Sequence, residues 1–314
     1  MPLTNAEKQK RWREKQKKIN AEEYRRKHRK EQQFSRLKKK LLENKLPHSL
    51  IKQREAQLKI EIRKRVRKWR KKKLSEMAVD DNEVNAYIYQ KWLDLNADVE
   101  TNIKEKWWNT VKSYYASENR KYHTFVHLKR MFNHLDSLIN EIENKNAISY
   151  AIFFHDVIYD ARSQDNEEES VKLFNKFCTE SGILKMKKKL FCVHFEYNEE
   201  LVSKVEELIM ALKAHCTEEH KTEGLFGKDD VHYFLDFDIS ILGSDVSEYK
   251  KYTQQIREEY SFLPKSKYNI LRSKVLQLFL QIPTIYATQA FREKYEKQAR
   301  SNIQTEIEWL KIED

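Results

Sequence analysis

The chain contains few of the residues that form tight turns. It has only four glycines and four prolines in 314 residues, whereas average proteins contain about 7% glycine and about 5% proline. Because hairpins and compact turns depend on these residues, their scarcity argues against a β-rich protein. We therefore predict an all-α fold.

Cysteines and long apolar runs are also scarce. The three cysteines, Cys178, Cys192 and Cys216, have no Cys-x-x-Cys spacing and leave one thiol unpaired, which is typical of reduced thiols inside the cell. No apolar run approaches 18 residues, and the first residues lack the apolar core of a signal peptide. We expect no membrane span, no membrane partner and an intracellular location, in the nucleus or the cytoplasm.

The charges are divided unequally along the chain. Residues 1–75 hold 29 Lys and Arg against 8 Glu, a net charge of +21, and the remainder holds 32 basic and 41 acidic residues, a net charge of −9. A change of this size marks a boundary. We place a basic helical arm at 1–77 and a helical domain at 78–314.

The arm has helix-forming composition with one clear break at Pro47, so we predict helical segments over about 5–45 and 49–77. Three roles are open. Its cations could bind the phosphates of RNA, DNA or another polyanion, and residues 64–73 could serve as a nuclear import signal. The third role is a solvated helix that touches an acidic partner. No signature of base-specific readout is present.

Apolar residues recur every three to four positions through the domain, which predicts a helical bundle. Asp165 is a candidate N-cap for the fourth helix. The predicted helices cover 84–115, 124–144, 146–159, 166–181, 199–216, 229–242, 245–261, 266–281 and 287–310.

Histidines and aspartates in the domain follow an order that suits a metal ion. His123 and His127 are four residues apart, His155 and Asp156 are adjacent, and Asp238 comes later in the chain. Imidazole nitrogens and carboxylate oxygens bind Mn, Fe, Co, Ni, Mg or Zn to differing degrees, so the set predicts a divalent cation without identifying it.

The adjacent pair His155 and Asp156 follows an apolar run, 151–154. Neighbouring helix positions point about 100° apart, so each buried polar group needs a partner, and one metal ion could satisfy both. The alternative is that His155 ends a core helix while Asp156 caps it or forms a local ion pair.

Further motifs accompany these residues. They are Tyr122-His123-Thr124 with His127-Leu128, Phe154-His155-Asp156 with Tyr159-Asp160, Asp165-Asn166-Glu167-Glu168 with Ser170, Lys213 with His215, Phe234-Leu235-Asp236-Phe237-Asp238-Ile239 with Ile241-Leu242-Gly243, Arg257-Glu258-Glu259-Tyr260, and Ala299-Arg300 with Asn302. In this order, over residues 114–310, they resemble the HD superfamily of metal-dependent phosphohydrolases, and within it a group known mainly from bacteria. The Tyr-His-x-x-x-His element also resembles the start of the cyclic-nucleotide phosphodiesterase site.

The resemblance implies an HD-type helical bundle that cleaves a phosphoester of a nucleotide or another small phosphate compound through metal-activated water. The family pattern selects Asp238 rather than Asp236 as a ligand, and Asp236 is expected to bind a neighbouring Arg or a backbone N–H. His215 could hold a second ion bridged by Asp156, or it could cap its helix. The implied metal ligands for one or two ions are His127, His155, Asp156, Asp238 and His215.

The resemblance also implies roles in the reaction. His123 would donate a proton to the leaving oxygen, and Asp156 is the second residue assigned to catalysis. The alternative for His123 is a core or substrate-facing histidine without a proton role. The cations predicted to hold phosphate oxygens are Arg120, Lys213, Arg257 and Arg272.

The stretch 183–198 looks like an insertion relative to the family and could cover or reshape the pocket, and the stretch 217–228 is longer and more charged than the family loop. Both differences leave the substrate open. Three other functions compete with the small-molecule phosphohydrolase. The chain could be a nucleic-acid-binding protein with the HD body as a scaffold, a nuclease fed by its arm, or an HD-type di-iron oxygenase that uses His215 and further ligands. The sequence indicates no oligomeric state.

Overall fold

The structure is a computed structural model that describes residues 82–183 and 197–312. Every regular element in these two ranges is helical, and neither contains a strand, which confirms the predicted all-α fold. The arm at 1–77, with its predicted helices and import signal, lies outside the described residues. Most of the predicted insertion at 183–198 lies outside them as well.

The described helices are numbered here in chain order. A 3-10 turn, Ile239–Gly243, extends α8, and a π-helical turn, Arg292–Glu296, joins α11 to α12. The helices are α1 (82–95), α2 (Thr101–Tyr115), α3 (Phe125–Ser137), α4 (Lys145–Phe154), α5 (Asn166–Ser181), α6 (Tyr197–Ala211), α7 (Glu218–Lys221), α8 (Asp230–Asp238), α9 (Val246–Glu259), α10 (Lys265–Gln281), α11 (Gln289–Phe291) and α12 (Lys297–Ile312).

One of the predicted helices is divided in the structure. The prediction of one helix over 84–115 is wrong, because α1 ends at residue 95 and α2 begins at Thr101. The buried side-chain amide of Asn96 donates to the carbonyl of Trp92 at 2.9 Å, and such a local bond competes with continuation of the helix. The predicted helix 287–310 is present as one continuous helical run over 289–312, in which the π-helical turn lies between α11 and α12.

Three other helices end earlier than predicted. Helix α3 ends at Ser137 rather than at 144, where the Ser137 hydroxyl donates to the His134 carbonyl at 2.8 Å. Helix α4 ends at Phe154 rather than at 159, and α6 ends at Ala211 rather than at 216. Asp165 occupies the N-cap position of α5, but its side chain makes no capping hydrogen bond.

Helix α4 lies at the centre of an aromatic core. Phe153 and Phe154 are fully buried, with Trp92 of α1 edge-on to Phe153 at 5.2 Å and Phe177 of α5 stacked on Phe154 at 5.3 Å between ring centroids. Burying one large apolar side chain contributes about 1.5–3 kcal/mol. This packing fixes the end of α4, and His155 and Asp156 are the first two residues after it.

Two further predictions from the sequence concern membrane spans and the state of the cysteines. Among the described helices, none combines the length and the apolar composition that crossing a bilayer requires. Cys178 and Cys216 are free thiols, as their spacing predicts, and Cys192 lies outside the described residues.

Candidate metal centre

Four of the predicted ligands meet in the structure. His127 lies in the first turn of α3, His155 and Asp156 directly follow α4, and Asp238 is the last residue of α8. One ligand atom from each residue lies within 4.8 Å of all the others. The predicted group can therefore hold a metal ion.

Local interactions of the sequence place these residues. The Thr124 side chain accepts a hydrogen bond from the Val126 N–H and so begins α3 just before His127. Asp236 is buried and accepts hydrogen bonds from the N–H of Ala287 at 2.8 Å and of Thr288 at 2.9 Å, and its burial raises its pKa to about 7. As expected, Asp236 binds backbone N–H groups, and it anchors the helix that ends in Asp238.

The distances suit one ion bound by all four residues. His127 Nε2 lies 3.1 Å from both His155 Nε2 and Asp238 Oδ1, and His155 Nε2 lies 3.0 Å from Asp156 Oδ2. The longer pairs, His127 Nε2 to Asp156 Oδ2 and His155 Nε2 to Asp238 Oδ1, are 3.9 and 3.7 Å. An ion about 2.0–2.2 Å from each atom leaves neighbouring ligand atoms about 3 Å apart at right angles. The two nitrogens and two oxygens suit several first-row metals.

The two histidines are oriented differently. Both imidazoles are buried. His155 Nδ1 lies 3.0 Å from the Ile152 carbonyl, so that nitrogen carries the proton and leaves Nε2 as a lone-pair donor. His127 Nδ1 is buried and has no hydrogen-bond partner within the described part of the chain. Both Nε2 atoms face the two carboxylates.

The carboxylates and the histidines of the centre shift each other's pKa values. Burial raises the pKa of Asp156, but His155 and His123 outweigh it and hold that pKa well below its usual range. Burial likewise lowers the pKa of His155, but Asp156 and Asp238 outweigh it and raise that pKa to about 9. Buried carboxylates are costly without a cation. A divalent ion would neutralise both and accept the two imidazole lone pairs.

His123 stands beside this group and is held by a residue that the sequence argument did not assign. Its Nδ1 lies 2.7 Å from Glu259 Oε2, and its Nε2 lies 4.0 Å from Asp156 Oδ2. The other Glu259 oxygen accepts the backbone N–H groups of Lys121, Tyr122 and His123 at 2.6, 2.8 and 3.1 Å. The Glu259 side chain is only 1% exposed. Burial raises the pKa of Glu259, but the bond to His123 outweighs it and lowers that pKa to about 2.

A sequence signal for Glu259 does exist. Tyr252, Ile256 and Glu259 follow each other at spacings of four and three on the buried face of α9. A carboxylate on an apolar helical stripe needs a buried partner. Within the motif Arg257-Glu258-Glu259-Tyr260, the predicted site residue is Arg257, a cation suited to phosphate, and not Glu259.

His215 lies at the edge of the centre. Its Nε2 is 3.6 Å from Asp238 Oδ2, and its side chain is 33% exposed. Its backbone φ is +44°, a left-handed value that no other non-glycine residue adopts in the described part of the chain. Strained backbone of this kind often occurs at functional sites. The imidazole lies beside the candidate ligand Asp238, and the preceding helix ends at Ala211; whether His215 holds a second ion or caps that helix stays a prediction.

The four cations predicted to bind phosphate each have a protein partner. Arg120 and Arg257 donate to backbone carbonyls, the latter to Tyr260 at 2.8 Å and Leu263 at 3.0 Å. Arg272 is paired with buried Glu306 at 2.8 Å. Lys213 is paired with Glu168, and both side chains are more than a third exposed. Phosphate binding by these residues stays a prediction.

The sequence matches no family model, and no curated protein or solved structure matches it significantly. Membership of the HD superfamily therefore stays a prediction, based on the motifs and on the geometry of the centre.

Proposed function

We propose that the domain is a metal-dependent phosphohydrolase of the HD type, which cleaves a phosphoester of a nucleotide or another small phosphate compound. One observation carries the proposal. A histidine oriented by a buried carboxylate, His123 with Glu259, faces a group of four candidate metal ligands across 4.0 Å at Asp156. A metal site without such a proton donor would fit a structural ion equally well.

The ligand residues have one task in this proposal. His127, His155, Asp156 and Asp238 hold one divalent ion, and His215 is placed to help hold a second. When bound, such an ion supplies Lewis-acid chemistry, because it polarises a phosphoryl oxygen and lowers the pKa of water. The metal identity is left among Mn, Fe, Co, Ni, Mg and Zn, since the donor set accepts all of them to some degree.

His123 supplies the proton for the leaving oxygen. Burial lowers the pKa of His123, but Asp156 and Glu259 outweigh it and raise that pKa above its usual value. As a water oxygen bonds to phosphorus and gives a proton to solvent, the bond from phosphorus to the leaving oxygen breaks, and the cationic imidazole gives its Nε2 proton to that oxygen. Its Nδ1–H stays hydrogen-bonded to Glu259. Solvent returns the proton afterwards.

Lys213 is the best candidate among the predicted phosphate contacts. Its ion pair with Glu168 lies at the surface, where water screens the attraction, so a substrate phosphate can displace Glu168. Arg120 and Arg272 are largely buried in bonds to the protein. Moving them toward a substrate would leave their buried partners unsatisfied.

A nuclease or nucleic-acid-binding function is the second candidate, because residues 1–75 carry a net charge of +21. Such a charge attracts RNA or DNA in a salt-dependent way, and residues 64–73 would favour nuclear import. The di-iron oxygenase is the third candidate, and the position of His215 beside Asp238 favours it.

The test is metal analysis of the purified full chain beside the Asp156→Ala variant. Both proteins are also screened for phosphate release from nucleotides and generic phosphodiesters with Mn, Co, Ni, Mg or Fe added. We expect bound metal and metal-dependent turnover in the wild type and neither in the variant. Asp160→Ala, an exposed aspartate in the same loop, is the matched control and should behave as wild type.

Other outcomes separate the candidates. Bound iron with oxygen uptake and no phosphate release would favour the oxygenase. Cleavage of polynucleotide that depends on residues 1–75, with a small phosphodiester unaffected by their deletion, would favour the nuclease. Absence of metal and turnover in both proteins would overturn the enzyme and leave nucleic-acid binding by the arm.

A further inference from the structure

Arg120 is buried directly behind the candidate metal centre. The residue is 6% exposed, and its guanidinium group donates to the carbonyls of Asp156 at 2.5 Å and of Val157 at 2.8 Å. One side chain thus binds two consecutive peptide groups of the turn that carries a candidate ligand. Only a forked, planar cation makes this contact, because a lysine ammonium has no such fork.

The place suits a fixed cation. The carbonyls of Asp156 and Val157 follow the C-terminal end of α4, where backbone carbonyls lack helical partners and the helix dipole is negative. The guanidinium carbon also lies 5.0 Å from the centroid of the Tyr115 ring and 5.6 Å from that of Tyr159, within the range of cation–π attraction. These contacts hold the Arg120 side chain in one orientation.

The segment that begins with Arg120 is held from a second side. The backbone N–H groups of residues 121–123 donate to Glu259 of α9, as does the His123 ring. Residues 120–123 therefore connect two elements that are far apart in sequence, the Asp156 turn through Arg120 and α9 through Glu259. The 4.0 Å separation between His123 Nε2 and Asp156 Oδ2 is fixed by these two attachments.

We infer that Arg120 is a positioning residue, which holds the Asp156 turn in its ligand geometry and aligns His123 with it. The part that concerns Asp156 rests on metal binding alone, and the part that concerns His123 rests on the proposed phosphohydrolase. Loss of a residue that orients a metal ligand typically lowers metal affinity about 10–100-fold.

The variant is Arg120→Lys, which keeps the positive charge and most of the stem but loses the fork. The matched control is Arg300→Lys, because Arg300 Nη2 also donates to two consecutive carbonyls, of Ile282 at 2.9 Å and Pro283 at 2.8 Å, at the end of α10. Full-length proteins are titrated with Co or Mn, and urea unfolding of the metal-free proteins is measured in parallel.

We expect Arg120→Lys to bind metal about 10–100-fold more weakly, while Arg300→Lys stays within about twofold of wild type. At saturating metal, turnover of Arg120→Lys should recover only in part, because His123 remains displaced. Wild-type metal affinity in a folded Arg120→Lys would overturn the inference.

If Arg120→Lys does not fold, Arg120→Gln enters the same titration, and its amide can still donate to one carbonyl. Intermediate metal affinity in this variant would support the inference. Failure of both variants to fold, with Arg300→Lys folded, would overturn it, because Arg120 would then serve the whole fold. A wild type that binds metal without hydrolysing phosphoesters would remove the proposed function and leave the affinity comparison intact.

Discussion

Two groups of largely buried ionic side chains in the domain differ in the kind of partner that their carboxylates have. Arg272 and Glu306 form a closed pair at 2.8 Å, and the Tyr249 hydroxyl also donates to Glu306. At the metal centre, Asp156 and Asp238 have imidazoles as their ion-pair partners, and neither pairs with a Lys or Arg in the described part of the chain.

This difference separates a structural network from a ligand site. Buried charges persist only when they are paired or bind an ion. The Arg272–Glu306 network has both charges within the protein and needs nothing further. At the candidate metal centre the two carboxylates face only imidazoles, which are themselves metal ligands, so a cation from solution can be held there.

The largest expected effect is that of Asp238→Asn. The amide keeps the shape of the carboxylate but binds metal poorly. Losing a residue that only orients a ligand lowers metal affinity by up to about 100-fold, so loss of a ligand itself should lower it by more. Metal-dependent turnover should disappear. The free energy of unfolding of the metal-free protein should change less than in Glu306→Gln, because Asn keeps a polar contact to His127 and removes the repulsion between two neighbouring carboxylates. Metal titration and urea unfolding measure the two quantities.

Glu306→Gln should give the opposite pattern. The change leaves the largely buried Arg272 charge without its partner, and breaking a buried ion pair from one side costs about 3–5 kcal/mol. Metal affinity should stay within about twofold of wild type, since Glu306 has no bond to the centre. If Glu306→Gln weakened metal binding while Asp238→Asn destabilised the metal-free fold, the distinction between the two networks would be lost.

Much of the fold follows from apolar spacing, but the breaks do not. Periodicity locates α3, α4 and α9 because their buried faces repeat every three to four residues. It cannot locate the end of α1, because that end depends on the bond from the buried Asn96 amide to the Trp92 carbonyl. An asparagine weakens a helix only modestly, and apolar spacing does not show that this one is buried against Trp92.

The sequence also predicts the candidate ligands, because they interrupt apolar runs, but it does not predict the contacts of the residues around them. Asp156 and Asp238 stand out because each is an acidic residue in an apolar run. Arg120 carries a charge that the sequence reveals, but its direction toward the carbonyls behind Asp156 depends on the packing of α2 against the chain beyond α4. The sequence therefore predicts a phosphate contact where the structure has a backbone contact.

Glu259→Gln tests the side of the centre that faces the substrate. Gln cannot neutralise protonated His123, so we expect turnover to fall about 10–100-fold. This loss is smaller than the rate factor of about 10²–10⁴ that a general acid contributes, because His123 itself is still present. Metal affinity should not change. Initial rates at saturating metal measure this. Loss of metal instead of rate would contradict the assignment of Glu259 to the proton donor.

The same variant should also change the acid stability. Because the folded-state pKa of Glu259 is lowered to about 2, its contribution is fully present above the unfolded value of about 4.5 and is lost as the pH falls toward 2. Urea unfolding from pH 6 to pH 2 should therefore show a shallower loss of stability in Glu259→Gln than in wild type. Equal slopes would contradict a charged Glu259 in the folded protein.

The smallest expected effect is at His215, where two variants separate the stability cost of the backbone conformation from the role of the imidazole. Its φ of +44° disfavours a residue with a Cβ by about 1–2 kcal/mol, and glycine avoids that cost but loses more chain entropy. His215→Gly should therefore unfold with a free energy about 1 kcal/mol higher than His215→Ala. Both variants lack the imidazole, so any change in metal affinity or in the number of bound ions should be equal in the two. If metal binding is lost in both variants while stability rises in His215→Gly, the left-handed backbone at residue 215 costs stability, and the imidazole beside Asp238 serves metal binding in addition to the four candidate ligands.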